Sequence, residues 1–380
     1  MIIGGQYSLT LKFDNIEYDL EVSQLEELSI FEDVITSVPT IKLTLVDNKV
    51  NQDILPIHDG SVLEVLLQPL SDDEAIQQSL QFRVFTNKAF SQTDSDKIEI
   101  TGYFDVPNIF KNANFQAING GSSQAAARIA SDSNLVFDGD ATNDSQLWLQ
   151  YGITGGQFLR EITRAAYLDD NSAFVSCVTR AGELRFYNIG NRRRNNTIWS
   201  FIETDNPALL TDTDQIPIVD SFRDVNSGVL NSWRGYGVYA KEDNLVENIE
   251  NDIFIENIGK STDLLNINST LIEPTKFESG AMNFGNTHKN YFRAQIQNTQ
   301  ILSTFSVGVN ILTNVPKDIQ LLDRARLLKR SETEVSLKGT ESGDYFVDAI
   351  ATHIYSNALI TKYHLIKEGL NTNRSVPDLV

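Results

Sequence analysis

Cysteine is almost absent from this chain of 380 residues, where Cys177 stands alone. A lone cysteine excludes an intrachain disulfide framework and a cysteine-based zinc site. Histidine is scarce as well, and His58, His288, His353 and His364 form neither a His-x-His nor a helical i, i+4 pair. Metal ligation therefore has little support, although His353 and His364 fall on adjacent expected strands and are candidate neighbours. No apolar run approaches the roughly 18 residues that a membrane helix needs. The first residues lack the basic start and apolar core of a secretory leader. These absences lead us to expect a soluble chain, made in a cytoplasm and needing no oxidation. Positive charge is the other shortage: 31 Lys and Arg face 51 Asp and Glu, a formal net charge of -20. Such an acidic surface repels phosphate backbones and anionic membranes, which argues against a dedicated nucleic-acid binder.

What is present is an ordinary globular composition, 41% hydrophobic and 22% charged, in a length that suits about 2–3 domains. The first hundred residues read as short strands. Residues 8–13 alternate, and so do 40–46, where Ile41, Leu43 and Leu45 share one face. Strands follow at 61–67, 81–85 and 97–103, the last two separated by a polar turn at 91–96. Five or more short strands with polar connections suggest an antiparallel barrel or sandwich. Near Pro107 the texture changes to helices at 122–130 and about 155–168, then a hairpin of 173–179 and 183–187. Thr154 and Gln157 have capping-box spacing for the second helix. Strands resume at 216–219 and 230–239. Residues 241–299 are rich in Asn and Glu and read as an insertion with short helices. Strands return at 304–312, 325–328, 345–355 and 358–366, and the final residues are polar. The two β regions echo each other in pattern, each closing on a strand, a polar turn and an alternating strand, with negligible identity.

Catalysis finds no recognisable setting, and no catalytic, cofactor or metal residue is assigned. A Gly-x-Ser-x-Gly elbow, a His-Glu-x-x-His and a Walker loop are all missing. Gly120-Gly121-Ser122-Ser123 precedes a helix and could nominally receive an anion, but it reads as a turn and N-cap. Asp138-Gly139-Asp140-Ala141-Thr142-Asn143-Asp144 starts like a calcium loop. It then fails, with Asn143 at the turn position and Leu149 where the closing Glu belongs. Arg192-Arg193-Arg194 is the one basic cluster, read as a solvated loop or a contact to an acidic partner. Trp148, Trp199 and Trp233 are expected to pack in a core or interface, with sugar stacking as the alternative.

The order of segments resembles the baseplate hub proteins of contractile-tailed bacteriophages, whose relatives include type VI secretion spike proteins. Three stretches carry the resemblance. The first joins Ser122–Ala130 to Gly155–Ile162, the second is the hairpin ending Gly182-Glu183-Leu184-Arg185-Phe186, and the third runs from Ser342 through His353 to Tyr363 and Gly369. The resemblance implies a mixed, β-rich α+β fold with two antiparallel β-barrel domains, a small α/β domain between them and an insertion in the second barrel. The corresponding divisions are 1–106 for the first barrel, 107–215 for the α/β domain, and 216–240 with 300–369 for the second barrel. Residues 241–299 form the insertion and 370–380 a C-terminal tail. The resemblance further implies a structural virion protein of the tail baseplate, assembled in the host cytoplasm. Its homotrimer would form a pseudo-sixfold ring joining the hexameric tail tube to the central spike. Implied partners are the tail tube, central spike and baseplate wedge proteins, with the tape measure protein as a further candidate. DNA would pass through the channel without sequence-specific binding, and the acidic charge would keep it from adsorbing. A lysozyme-like domain or β-helical needle is expected on separate proteins. The expected interface residues are Ile41, Leu43, Leu45, Tyr345, Val347, His353, Tyr363 and Leu365, on outward strand faces. The competing readings are a tail-associated cell-wall hydrolase or peptidase, and a carbohydrate-binding host-recognition protein.

Overall fold

The computed structural model describes residues 1–3, 7–18, 20–34, 38–47, 57–70, 78–91, 96–170, 172–192, 195–207, 210, 212–226, 237–244, 249–256, 275–276, 281–283, 287–305, 307–315, 317–329, 341–355 and 358–367. Strands come first. They are β1 (Ile2–Ile3), β2 (Tyr7–Phe13), β3 (Ile16–Tyr18), β4 (Leu25–Asp33) and β5 (Thr40–Asp47). β6 (Val62–Pro69), β7 (Gln78–Ser91) and β8 (Asp96–Phe104) complete this run. A mixed segment follows, with α1 (Pro107–Phe110), β9 (Ala113–Gly120), α2 (Ser122–Asp132), β10 (Val136–Gly139) and β11 (Gln146–Thr154). It continues with α3 (Gly155–Ala165), β12 (Phe174–Val178), β13 (Glu183–Asn188) and α4 (Ile189–Arg192). Next are β14 (Trp199–Ile202), β15 (Gln215–Pro217), β16 (Asp220–Asn226), β17 (Gly237–Asn244), β18 (Ile249–Glu256), β19 (Thr275–Lys276) and β20 (Ala281–Asn283). The chain closes with α5 (Tyr291–Thr304), β21 (Val307–Thr313), β22 (Arg324–Leu328), β23 (Gly343–Tyr355) and β24 (Ala358–Lys367). Residues 241–299 were expected to hold short helices; their described part holds β-strands and the start of one long helix instead.

One large, curled and chiefly antiparallel sheet of fifteen strands dominates. Its order contains the same unit twice. In the first, β6-β7-β8-β5-β4 lie side by side, all antiparallel. In the second, β22-β23-β24-β21-β16 do the same. The match extends to irregularities. The β7·β8 ladder shifts between Val84 and Thr86, and the β23·β24 ladder between Val347 and Ala349. Val84 exchanges backbone hydrogen bonds with Gly60 and Ser61, and Val347 with Leu322 and Asp323. Gly60 and Leu322 both have positive φ, 94° and 67°. For Leu322 that conformation is costly, by about 1–2 kcal/mol, and its burial in the core holds it.

The units meet on β23. Its first residues pair with β22, and after the bulge Ala349–Ile354 pair with Leu28–Asp33 of β4. Each unit has its own core. The first gathers Leu9, Leu11, Phe13, Leu43, Val65 and Phe82, together with Ile354 and Leu359 from the second unit's strands. The second gathers Val309, Leu327, Tyr345, Val347, Tyr363 and Leu365, with Cys177 and Tyr187 from the middle hairpin. A third core lies between α2, α3 and the β12·β13 hairpin.

Local rules explain the middle segment. Thr154 caps α3: its Oγ1 accepts from the Gln157 N–H at 3.3 Å, while its own N–H donates to Gln157 Oε1 at 3.0 Å. Phe158, Leu159, Ile162 and Ala165 form the buried stripe. The far end of α3 is closed by α5, where Asn298 Nδ2 donates to the carbonyls of Thr163, Arg164 and Ala166. His288 Nε2 donates to Ala165 O at 2.8 Å; burial lowers the pKa of this ring below its usual value, and the hydrogen bond opposes that shift.

Candidate functional site

Most residues singled out by pattern turn out to satisfy one another. Asp144, 4% exposed, receives the Ser122 N–H at 2.8 Å, the Ser122 hydroxyl at 2.5 Å and the Tyr167 N–H at 2.7 Å. The acidic loop thus supplies the anion for the Gly-Gly-Ser-Ser turn at the start of α2. Gly121 is needed there, since a Cβ would stand 3.0 Å from Asp144 O and 3.1 Å from Thr142 Oγ1. Asp140 accepts two hydrogen bonds from Arg192, at 2.9 Å each, and one from the Asn188 N–H. Arg192 also lies over the Tyr187 ring, whose hydroxyl donates to Asp138. Burial and that carboxylate hold the Tyr187 hydroxyl well above its usual pKa. Arg193 and Arg194 lie outside the described residues.

The histidines are equally committed. His353 and His364 are not neighbours, because on the β23·β24 ladder His364 pairs with Ala349 and His353 with Ile360. His364 Nδ1 meets Asp348 Oδ2 at 3.0 Å. His353 Nδ1 meets Ser29 Oγ at 2.8 Å, and Ser29 donates to Glu27 at 2.6 Å. The hydroxyl proton is therefore directed at the carboxylate rather than the imidazole, and Ser29 is fully buried. His58 Nδ1 likewise faces Ser61 Oγ at 3.0 Å, with Ser61 only 1% exposed. Neither serine is placed to attack a substrate. No group of three metal-ligating side chains occurs among the described residues. Trp148 is buried, its indole N–H donating to Gly120 O, and Trp199 donates to Asp323; Trp233 lies outside the described residues.

The strand residues expected at interfaces face inward. Ile41, Leu43 and Leu45 line the first core, and Tyr345, Val347, Tyr363 and Leu365 the second, all at 2% exposure or less. Only His353 is half-buried. This corrects the outward placement expected for the other seven. In a period-2 strand the apolar face is the one a core claims, which leaves Lys42 and Thr44 to point outward from β5.

Two exposed apolar features went unread in the sequence. In the β9·β11 ribbon, Trp148 and Gln150 turn inward. Its opposite face carries Phe115, Leu147, Leu149 and Tyr151, of which Tyr151 is 82% exposed. Phe115 and Tyr151 are paired across the strands and touch edge to face. The signal was the run Leu147-Trp148-Leu149, apolar on both faces of one strand. The second feature is a groove of about 330 Å³ where the β7 bulge turns Phe85 outward against Tyr103, which stacks on Phe110. Arg83, held by a bidentate pair to Asp105, lines the same groove. Exposed apolar surface of this kind is the chemistry of protein–protein contact.

No family model matches the chain, and no curated protein matches it. Among solved structures, the tail protein from Neisseria meningitidis MC58 aligns with a TM-score of 0.61 and 12% identity, over 96% of this chain and 98% of that one. The 43 kDa tail protein of prophage MuSo2 from Shewanella oneidensis aligns with a TM-score of 0.60 and 12% identity, over 95% and 98%. The chain has the fold of these tail proteins over nearly its whole length, in agreement with the resemblance carried by its sequence motifs.

Proposed function

We propose that this chain is a structural hub of a phage tail baseplate, working as a homotrimer. The observation that carries the reading is the doubled five-stranded unit. Each unit, wrapped around its own core, acts as one barrel module; three chains then present six modules around an axis. Such a ring matches a sixfold tail tube on one face while keeping threefold symmetry for a central spike on the other. The likeness to two tail proteins supports a place in the virion tail, and the exposed β9·β11 face offers surface for wedge or other baseplate partners. A net charge of -20 suits a conduit that passes DNA without adsorbing it. In this reading the hub acts by shape and contact, and Ser29, Ser122, His364 and Asp144 are engaged with neighbouring side chains.

Light scattering and native mass measurement test this directly on the full chain. The expected mass is three times 42.5 kDa, and the trimer is expected to bind purified tail tube protein. A chain that stays monomeric at high concentration, and in the presence of tube and spike proteins, overturns the reading.

A further inference from the structure

Among the described residues the repeat leaves two strand edges without a paired strand, and the chain itself offers a template for joining them. Within one chain, the outer edge of β4 pairs with β23 beyond its bulge, Ala349–Ile354 against Leu28–Asp33. The equivalent of β4 in the second unit is β16, which pairs with β21 on one side and with no other strand among the described residues. The equivalent of β23 beyond its bulge is Thr86–Ser91 of β7. Among the described residues that stretch pairs with β8 alone, because β6 ends opposite Arg83. Exposure agrees with this asymmetry. Ile350, Thr352 and Ile354 are buried under the β4 seam, whereas Asn87 and Ala89, at the equivalent places on β7, are exposed.

We infer that β16 of one protomer pairs antiparallel with Thr86–Ser91 of β7 in a second copy of this chain. The inference rests on the trimeric reading and assigns its seam. The β4·β23 contact is head-to-tail, one edge of a unit against a different edge of the next. Repetition of the same contact between chains joins all six units and closes after three copies. It also removes the unpaired backbone groups that an open edge leaves. The register transfers from the internal seam. His353 opposite Ser29 becomes Phe90 opposite Phe222, and Ile354 opposite Leu28 becomes Ser91 opposite Ser221. Phe222 of β16 is 45% exposed in the single chain.

The test uses the full-length double variant Ser91→Cys with Ser221→Cys; the native Cys177 is buried and contributes no background. Under mild oxidation this variant is expected to yield covalent dimers and trimers that collapse to monomer on reduction. The off-register variant Thr86→Cys with Ser221→Cys is expected to stay monomeric on the same gel. Light scattering of both variants is read first. A trimer that never cross-links in the first pair, or cross-links equally in the second, overturns the assigned seam and leaves the trimer standing. A chain that is monomeric at every concentration overturns both. Amide exchange supplies an independent readout: 86–91 and 220–226 are expected to be at least tenfold slower in the trimer than after its dilution to monomer. Equal rates in the two states refute the pairing.

Discussion

The two five-stranded units agree in strand order, bulge position and left-handed turn, and differ in nearly every side chain at equivalent places. Gly102 of β8 occupies the place of Leu365 on β24, as their ladder partners Val84 and Val347 show. A Cβ on Gly102 would lie 2.9 Å from Arg83 O and 3.1 Å from Ile41 Cγ2, so the first unit closes on backbone where the second closes on a leucine. Arg83, paired with Asp105, stands where Phe346 lies under the Arg324 guanidinium. Phe85 projects from one bulge and Asp348, bonded to His364, from the other. The backbone pattern needs only inward apolar and outward polar alternation with an extra residue at one point; many side-chain sets meet that requirement. The larger difference lies at the seams. Between the units of one chain, the hairpin tip of the middle segment inserts Arg180 beside Glu32. Its N–H donates to Glu32 Oε2 at 2.9 Å, and its guanidinium reaches Thr352 and Ile319 O. Burial pushes the Glu32 carboxyl above its ordinary pKa, opposed by Arg180. By register, Asn226 of β16 stands in the place of Glu32 of β4.

The largest expected effect breaks this asymmetry. Arg180→Ala strands Glu32 in a buried site and should lower stability by about 3–5 kcal/mol, measured by urea unfolding. A loss under about 1 kcal/mol would mean the ion pair does not hold the seam. Next come reciprocal substitutions at the equivalent closing positions. Leu365→Ala empties core volume and should cost about 2–5 kcal/mol. Gly102→Ala, which adds a single methyl, should cost about 1–3 kcal/mol through crowding. If both units tolerate alanine equally, the two cores do not close differently. The smallest effect concerns pH. Burial lowers the folded pKa of His353, with Glu27 opposing. Its contribution is therefore present above the unfolded value near 6.5 and is lost as pH falls through the folded value. Amides of 28–33 and 349–354 should exchange faster at pH 5 than at pH 7, after correction for intrinsic rates. His353→Phe, which copies Phe90 of the first unit, should remove that difference.

Much of the first unit was legible. The alternation at 40–46 and 61–67 and the polar turn before 97–103 gave β5, β6 and the β7·β8 hairpin, because those strands follow the period-2 rule with one buried face. β4 was missed. Its Ser29 and Glu32 are buried, and the reason lies far along the chain, in His353 and Arg180. β18 and the part of β17 beyond residue 239 were hidden by composition, since Asn, Asp and Glu are poor strand formers. The same limit applies to the candidate surfaces. Apolar alternation identifies a strand's two faces but not which one a core will claim, so Ile41 and Tyr363 were assigned outward. The anion-loop and calcium-loop patterns were each weak alone, and only the fold showed that Asp144 of one fills the other.

The bulge at Asp348 has a geometric consequence. β23 hands its edge from β22 to β4 across that single residue, so the angle between the two units pivots on one peptide. The side chain differs between the units, Phe85 at one bulge and Asp348 at the other. Removing the residue itself would invert Ala349–Ile354, turning Ile350 and Ile354 toward solvent and Ala351 and His353 inward. The curvature of any assembly built from these units is thus encoded by the presence of one extra residue and hardly at all by its identity.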